Sequence, residues 1–346
     1  MRALAAWLVV FYHFYQIVPE FPPTSFTSFF LVAFGSFGVD IFFVLSGFIM
    51  VHALSIRPRN ARSFLVERLL RIAPAYWAAT FAFVLIVFSV PLPSSVNSEF
   101  GLFHLLKSLL FVSYIDAVPG TRAPFLVVGW TLNFEVFFYA LITASVLFFG
   151  KMWAWPCVML LLSAPFLVEA KLGLGYILSS FYLCEFAAGL VVGLLFVRHP
   201  RLFSRQLWWL GPVFLVWAAV VLLWGGVALG GVFVGERLIA AVLLLVGALL
   251  LEGKRTGLPG IGIALRLGKI SYSTYVIHFP IQVCIAYLFE SRFMAVSEPI
   301  ALAIMVLAVW LASEMLYRLV ETSPLVDRLR QLGAEPGRKL DAVTPR

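Results

Sequence analysis

Long apolar runs separated by short basic loops set the pattern of this chain. Ten of them reach about 17 to 25 residues, the length at which a helix crosses a hydrocarbon core of about 30 Å. They fall at 3–19, 31–54, 72–90, 127–149, 152–168, 176–197, 208–225, 231–251, 270–289 and 298–319. The pattern predicts an all-α polytopic membrane protein, a bundle of about ten transmembrane helices with both termini on one side. Segment 100–115 is apolar but short and carries His104 and Lys107, with Asp116 beside it, which places it at the interface. Beyond Pro324 the sequence turns polar and is expected to be disordered. The expected division is therefore a membrane domain over 1–325 and a short polar cytoplasmic tail over 326–346, with no second folded domain following.

Composition agrees: 62% of residues are hydrophobic, 12% are charged, and mean hydropathy is +1.00, too little polar surface for a soluble globule of 346 residues. The net charge of +8 raises the question of nucleic acid, but the basic residues sit in loops between apolar runs. All of the 25 Lys and Arg except Lys107, Arg122, Lys171, Arg237 and Arg292 fall on the side that holds the termini. That asymmetry assigns the termini to the cytoplasm and argues against nucleic-acid binding. Cys157, Cys184 and Cys284 lie inside apolar runs with no CxxC or Cys/His spacing, so they read as packing residues, and no metal site is signalled. Met1 to Pro19 lacks a small-residue cleavage site and is expected to remain as a mature helix.

Ionisable residues inside apolar runs carry the chemical signal. Arg2 and His13 are eleven residues apart, roughly 20° past three full turns, so they share one helix face about 16 Å apart along the axis. An imidazole within a bilayer usually faces a bundle interior or an aqueous cavity. Counting residues from the span ends puts His13 and Asp40 roughly 9 Å, and Glu135 about 12 Å, below the outer boundary. One level for all three predicts a carboxylate beside His13, an arrangement that fixes the ring and makes it a competent general base. Helix pairing by the same three groups is the plainer alternative.

Three further stretches bear on ligands. Gly129-Trp130-Thr131-Leu132-Asn133-Phe134-Glu135 combines aromatic faces with amide and carboxylate groups, which suits a carbohydrate, although an interfacial aromatic belt also accounts for Trp130. Ser271, Tyr275 and His278 make one polar stripe on the ninth run, either lining a passage for a cytosolic ligand or bonding helices together. Arg68 and Arg71 stand at i, i+3 before Pro74, in a cluster with Arg57, Arg59 and Arg62 that holds no lysine and favours bidentate phosphate recognition, while topology alone also demands positive charge there. Coenzyme A hangs its thiol about 15 Å from its diphosphate, taking roughly 1.2 Å for each of about 13 bonds. This is close to the Arg2–His13 spacing, so phosphates on Arg2, Arg68 and Arg71 would bring a thioester to His13. Gly189 and Gly193 form a GxxxG on the sixth run, a signal for close helix packing.

Arg2 with His13, Gly38-Val39-Asp40-Ile41-Phe42-Phe43-Val44-Leu45-Ser46-Gly47-Phe48, Arg68 to Pro74, Trp130 to Tyr139, Ser271 to His278 and Tyr317-Arg318-Leu319-Val320-Glu321 occur in this order, and together they resemble the membrane acyltransferase 3 family. The Gly-Trp-Thr-Leu-Asn-Phe-Glu form is most similar to the branch that acetylates bacterial exopolysaccharides. The resemblance implies ten helices, acyl-CoA as donor with no permanently bound cofactor, His13 as the catalytic base and Arg2 as its donor-side partner. The expectation is a multi-pass O-acetyltransferase of the bacterial inner membrane, moving an acyl group from cytosolic acetyl-CoA to a saccharide or lipid-linked saccharide. His13, Glu135 and Asp40 are its catalytic candidates, Arg2, Arg68, Arg71, Tyr275 and His278 its donor contacts, and Trp130 and Asn133 its acceptor contacts. The alternative is a proton-coupled transporter or flippase with His13, Asp40 and Glu135 as a relay.

Overall fold

A computed structural model describes residues 1–18, 21, 25–56, 60–90, 101–112, 124–169, 173–228, 234–252, 260–290 and 296–333. These residues are helical throughout: α1 (Arg2–Ile17), α2 (Phe26–Gly35), α3 (Phe37–Ile56), α4 (Ala61–Ser89), α5 (Leu102–Leu109), α6 (Trp130–Phe149), α7 (Ala154–Leu167), α8 (Leu174–Leu178), α9 (Tyr182–Arg198), α10 (Leu210–Ala228), α11 (Val234–Leu251), α12 (Ile261–Glu290), α13 (Glu298–Leu316) and α14 (Pro324–Gly333). The described residues of each of the ten apolar runs fall mainly on helix. Five stretches are long and apolar enough to cross a membrane: Ser28–Ile56, Ala61–Ser89, Val127–Met152, Ile261–Glu290 and Glu298–Glu321. The chain is an integral, multi-pass membrane protein. Arg57 and Arg59 and most of the loop 91–126 lie outside the described residues.

Helix starts follow their caps. Ser25 and Ser28 form a reciprocal capping box at α2, and Asn60 accepts from the Ser63 amide at 2.7 Å to start α4. The Asn60 cap places the start of α4 well before the expected residue 72, so Arg68 and Arg71 belong to the helix. Arg68 is 8% exposed and lies over the Phe64 ring. The end where α3 hands over to α4 is called here the basic end.

In the bundle, helices associate through close backbone approach and hydrogen bonds, because lipid is as apolar as leucine. The GxxxG of α9 does this against α3. A Cβ on Gly189 would lie 2.0 Å from the Val44 carbonyl oxygen, and one on Gly47 would lie 2.2 Å from that of Phe186. Gly38 brings α3 onto α1 in the same way, against the Ala5 carbonyl. The most enclosed span is α12, with 78% of its apolar window buried against 28% for the span containing α13. Around it, the Tyr272 hydroxyl donates to the Ile72 carbonyl of α4 at 2.7 Å, and Gln282 Nε2 donates to the Val10 carbonyl of α1 at 2.7 Å. At the basic end Arg266 of α12 is bonded to Glu314 of α13.

The stretch after Pro324, expected to be disordered, instead forms α14 up to Gly333. Val326, 4% exposed, is buried there, and the helix packs on α4. Its polar composition reflects one solvated face of an amphipathic helix rather than absence of structure.

Candidate active site

His13 turns into the bundle, onto α12. Its Nδ1 lies 3.0 Å from Nε2 of His278, the two ring centroids are 5.2 Å apart, and Phe279 meets it edge-on at 6.1 Å. His278 is fully buried, whereas His13 keeps some accessible surface. The other His278 nitrogen, Nδ1, is 3.2 Å from the Thr274 carbonyl.

Neither carboxylate expected beside His13 is there. Gly38 packs against Ala5, so Asp40 sits level with the first turns of α1, about two turns below His13 toward the basic end. The depth estimate assumed a span ending at the bilayer boundary near Leu54. The apolar stretch instead runs over 29 residues from Ser28 to Ile56, about 43 Å with a break at Ser36 between α2 and α3, and overshoots a core of about 30 Å. Asp40 is held by Arg237 of α11, whose Nε donates to Oδ1 at 2.9 Å and whose Nη2 donates to Oδ2 and, at 3.2 Å, to Ser36. Glu185 of α9 is buried beside this pair. The sequence carried a signal for both partners, since Arg237 and Glu185 are ionisable groups inside apolar runs.

Glu135 also lies toward the basic end. The segment before α6 enters the bundle ahead of the helix, with Phe125, Leu126 and Val128 at 5%, 0% and 1% exposure. The Tyr275 hydroxyl donates to the Val128 carbonyl at 3.0 Å and accepts from Thr131 at 2.7 Å, which fixes the start of α6 about one turn below His278. Counting from the bilayer boundary therefore began too high. Glu135 is one turn further on, bonded by the Tyr139 hydroxyl through Oε1, with Oε2 unbonded.

That carboxylate belongs to a cluster of cations. Arg2, Arg68, Arg71, Glu135, Tyr139 and Tyr272 line a cavity of about 30 Å³. Arg68 Nε is buried with no hydrogen-bond partner. Glu321, which accepts from Ser273, stands within electrostatic reach of Arg2 and Arg71. Among the described residues that line or face this cavity, three guanidiniums meet the carboxylates of Glu135 and Glu321, a balance that favours an anion. A second cavity of about 10 Å³ shares Arg2, Phe42 and Tyr272 with the first and runs up α1 past Ala5 and Ala6 to Val9, one turn short of His13. Phe42, stacked at 5.9 Å on Tyr275, forms its wall. The two cavities follow the Arg2–His13 face of α1.

The remaining candidates are accounted for. Trp130 lies among Phe43, Phe134 and Tyr182, with ring centroids 5.3 to 6.4 Å away, and keeps some accessible surface; Asn133 is 3% exposed. Tyr275 spends its hydroxyl on α6. Among the described residues no group of three or more His, Cys, Asp or Glu could hold a metal ion.

Residues 1–315 match the family described as acyltransferase domain. The chain is 34% identical over 260 residues to the exopolysaccharide production protein ExoZ of Rhizobium meliloti, covering 70% of this chain and 75% of that protein. It is 31% identical over 150 residues to nodulation protein 10 of Rhizobium leguminosarum bv. viciae, covering 40% and 41%. No solved structure matches it.

Proposed function

From the premise that the chain belongs to the acyltransferase 3 family, we propose that it is a membrane-bound O-acyltransferase of the bacterial inner membrane. It moves an acyl group, in our reading acetyl, from cytosolic acyl-CoA to a hydroxyl of a surface polysaccharide or its lipid-linked precursor. The basic end faces the cytoplasm, as the distribution of Lys and Arg favours. The curated relative's connection to exopolysaccharide production supports a saccharide acceptor.

The observation that carries this reading is one helix face joining a cationic cavity to an imidazole inside the bundle. With the diphosphate of the donor on Arg2, Arg68 and Arg71, a thiol arm of about 15 Å follows α1 to His13. His13 takes the proton of the acceptor hydroxyl as that oxygen attacks the thioester carbonyl. The C–S bond then breaks, and His13 returns the proton to the departing thiolate, giving ester and CoA. Glu135 belongs to the donor end, where it holds the arginines in place. Asp40 is a helix-pairing residue with Arg237. Trp130 packs on Phe43, and Asn133 lies between Thr131 and Glu135 on α6, so both stand on the donor side of His13 and in this reading pack the bundle rather than contact the acceptor.

In the test, purified protein receives labelled acetyl-CoA and polysaccharide from a deletion strain, with no second compartment. Acceptor-dependent CoA release that His13→Ala abolishes, in a protein that still inserts and elutes as one species, is the expected result. Turnover unchanged in His13→Ala refutes it. Absence of turnover in the wild type returns the transporter alternative.

A further inference from the structure

We propose that His278 is a positioning residue that sets the tautomer of His13, so that the base works through Nε2. This rests on the reading of His13 as the base. The argument runs outward from a backbone oxygen. A carbonyl oxygen only accepts, so Nδ1 of His278, 3.2 Å from the Thr274 carbonyl, carries a hydrogen. A neutral His278 then has its lone pair on Nε2. That atom faces His13 Nδ1 at 3.0 Å, and His13 must donate to it. The hydrogen of His13 is therefore on Nδ1, and its basic lone pair is on Nε2.

The opposite arrangement would need an imidazolium at 278. That ring is 0% exposed, and its hydrogen-bond partners are a neutral imidazole and the backbone at Thr274 and Tyr275, with no carboxylate among them, an environment in which a charge is costly. Competing contacts are occupied: the Thr274 hydroxyl donates to the Ile270 carbonyl at 3.1 Å, and Gln282 clamps α12 onto α1 through Val10 at 2.7 Å. Both rings thus stand on helices fixed to each other within one turn of the contact.

The chain Thr274 carbonyl, His278, His13 does the work that a carboxylate does beside many catalytic histidines, without placing a second charge in the lipid layer. When His13 takes the acceptor proton on Nε2, its Nδ1–H bond to His278 becomes charge-assisted, and it strengthens as the reaction proceeds. A donor-binding role for His278, the sequence-based expectation, makes the opposite kinetic forecast.

The experiment compares His278→Phe, His278→Met and His278→Gln with wild type, measuring kcat and the KM for acetyl-CoA, with polysaccharide from a deletion strain as acceptor. The apolar variants are expected to lower kcat about a hundredfold or more, the scale of general-base catalysis, with KM changed by less than about threefold. In His278→Gln the amide offers both an acceptor and a donor, and kcat returns to within about tenfold of wild type. The double variant His13→Ala/His278→Phe is expected to be no slower than His13→Ala, since the two act as one unit. A raised KM with kcat preserved, a double variant slower than His13→Ala, or a His278→Gln protein no better than the apolar ones would each overturn the proposal. Should neither apolar variant be recovered as a single species, His278→Gln alone decides: unchanged KM with a kcat loss below about tenfold supports it, and a raised KM overturns it. Wild-type turnover in His13→Ala is a separate result that removes the base itself.

Discussion

Replacing Gly38 with alanine tests whether α1 is seated where the chemistry needs it. The added methyl would lie 2.2 Å from the Ala5 carbonyl oxygen and 2.8 Å from Val9 Cγ2, where ordinary contact begins at 3.4 Å. A backbone oxygen cannot swing aside as a side chain would. The two helices must therefore separate by about 1 Å, at an overpacking cost of about 1–3 kcal/mol. Arg2 and His13 both ride on α1, and a displacement of about 1 Å in a reaction that depends on alignment costs about a hundredfold. Gly38→Ala should thus lower kcat/KM for acyl transfer by about two orders of magnitude and reduce the apparent Tm in detergent. Gly262→Ala, near the start of α12 with nothing within 4 Å, is the control and should be neutral in both assays. A Gly38→Ala protein with wild-type turnover and Tm would refute the α1–α3 contact and the alignment argument together.

Two other substitutions separate structural from donor-binding charges. Arg237→Met leaves Asp40 and Glu185 buried without their cation and should destabilise the protein by about 3–5 kcal/mol, read as a lowered Tm; an unchanged Tm would contradict the pairing. Arg68→Met should raise the KM for acetyl-CoA about tenfold or more while kcat holds, as expected when a hydrogen bond to a charged group of about 1.5–3 kcal/mol is lost equally in ground and transition states. A fall in kcat at constant KM would move Arg68 out of the donor site.

The helices were legible because a membrane forces each span to be long, apolar and internally bonded. Arg68 and Arg71 were legible because a spacing of three fixes a shared face whatever the surroundings. Depth was not, for it depends on where each helix begins relative to the bilayer. Here α3 ends at Ile56, only two residues past the expected Leu54, but its Gly38 packs at the level of Ala5, so the whole helix sits lower than the count placed it, and α6 starts only after Phe125, Leu126 and Val128 are already buried. Pairings across the bundle were not legible either. Asp40 and Arg237 are 197 positions apart, and no local pattern ranks Arg237 above His13 as a partner. The three charges inside the sixth and eighth runs, Glu185, Glu236 and Arg237, were the available clue. His278 was singled out as part of a polar stripe, but that its partner was an imidazole could only be seen in three dimensions.

The distribution of the glycine contacts and tyrosine hydroxyls divides the bundle into two slabs. Glycine contacts weld α1, α3 and α9 backbone to backbone, and the hydroxyls of Tyr272 and Tyr275 staple α4 and α6 to α12. Both cavities run along the seam between the slabs, and at about 10 and 30 Å³ they hold far less than a thiol arm would fill. The imidazole pair and the Gln282–Val10 bond close the seam at its far end. An incoming donor would therefore pry the slabs apart at the mouth about a fulcrum near the two rings, like the jaws of a clothes peg, leaving the reacting end in register while the entrance gapes.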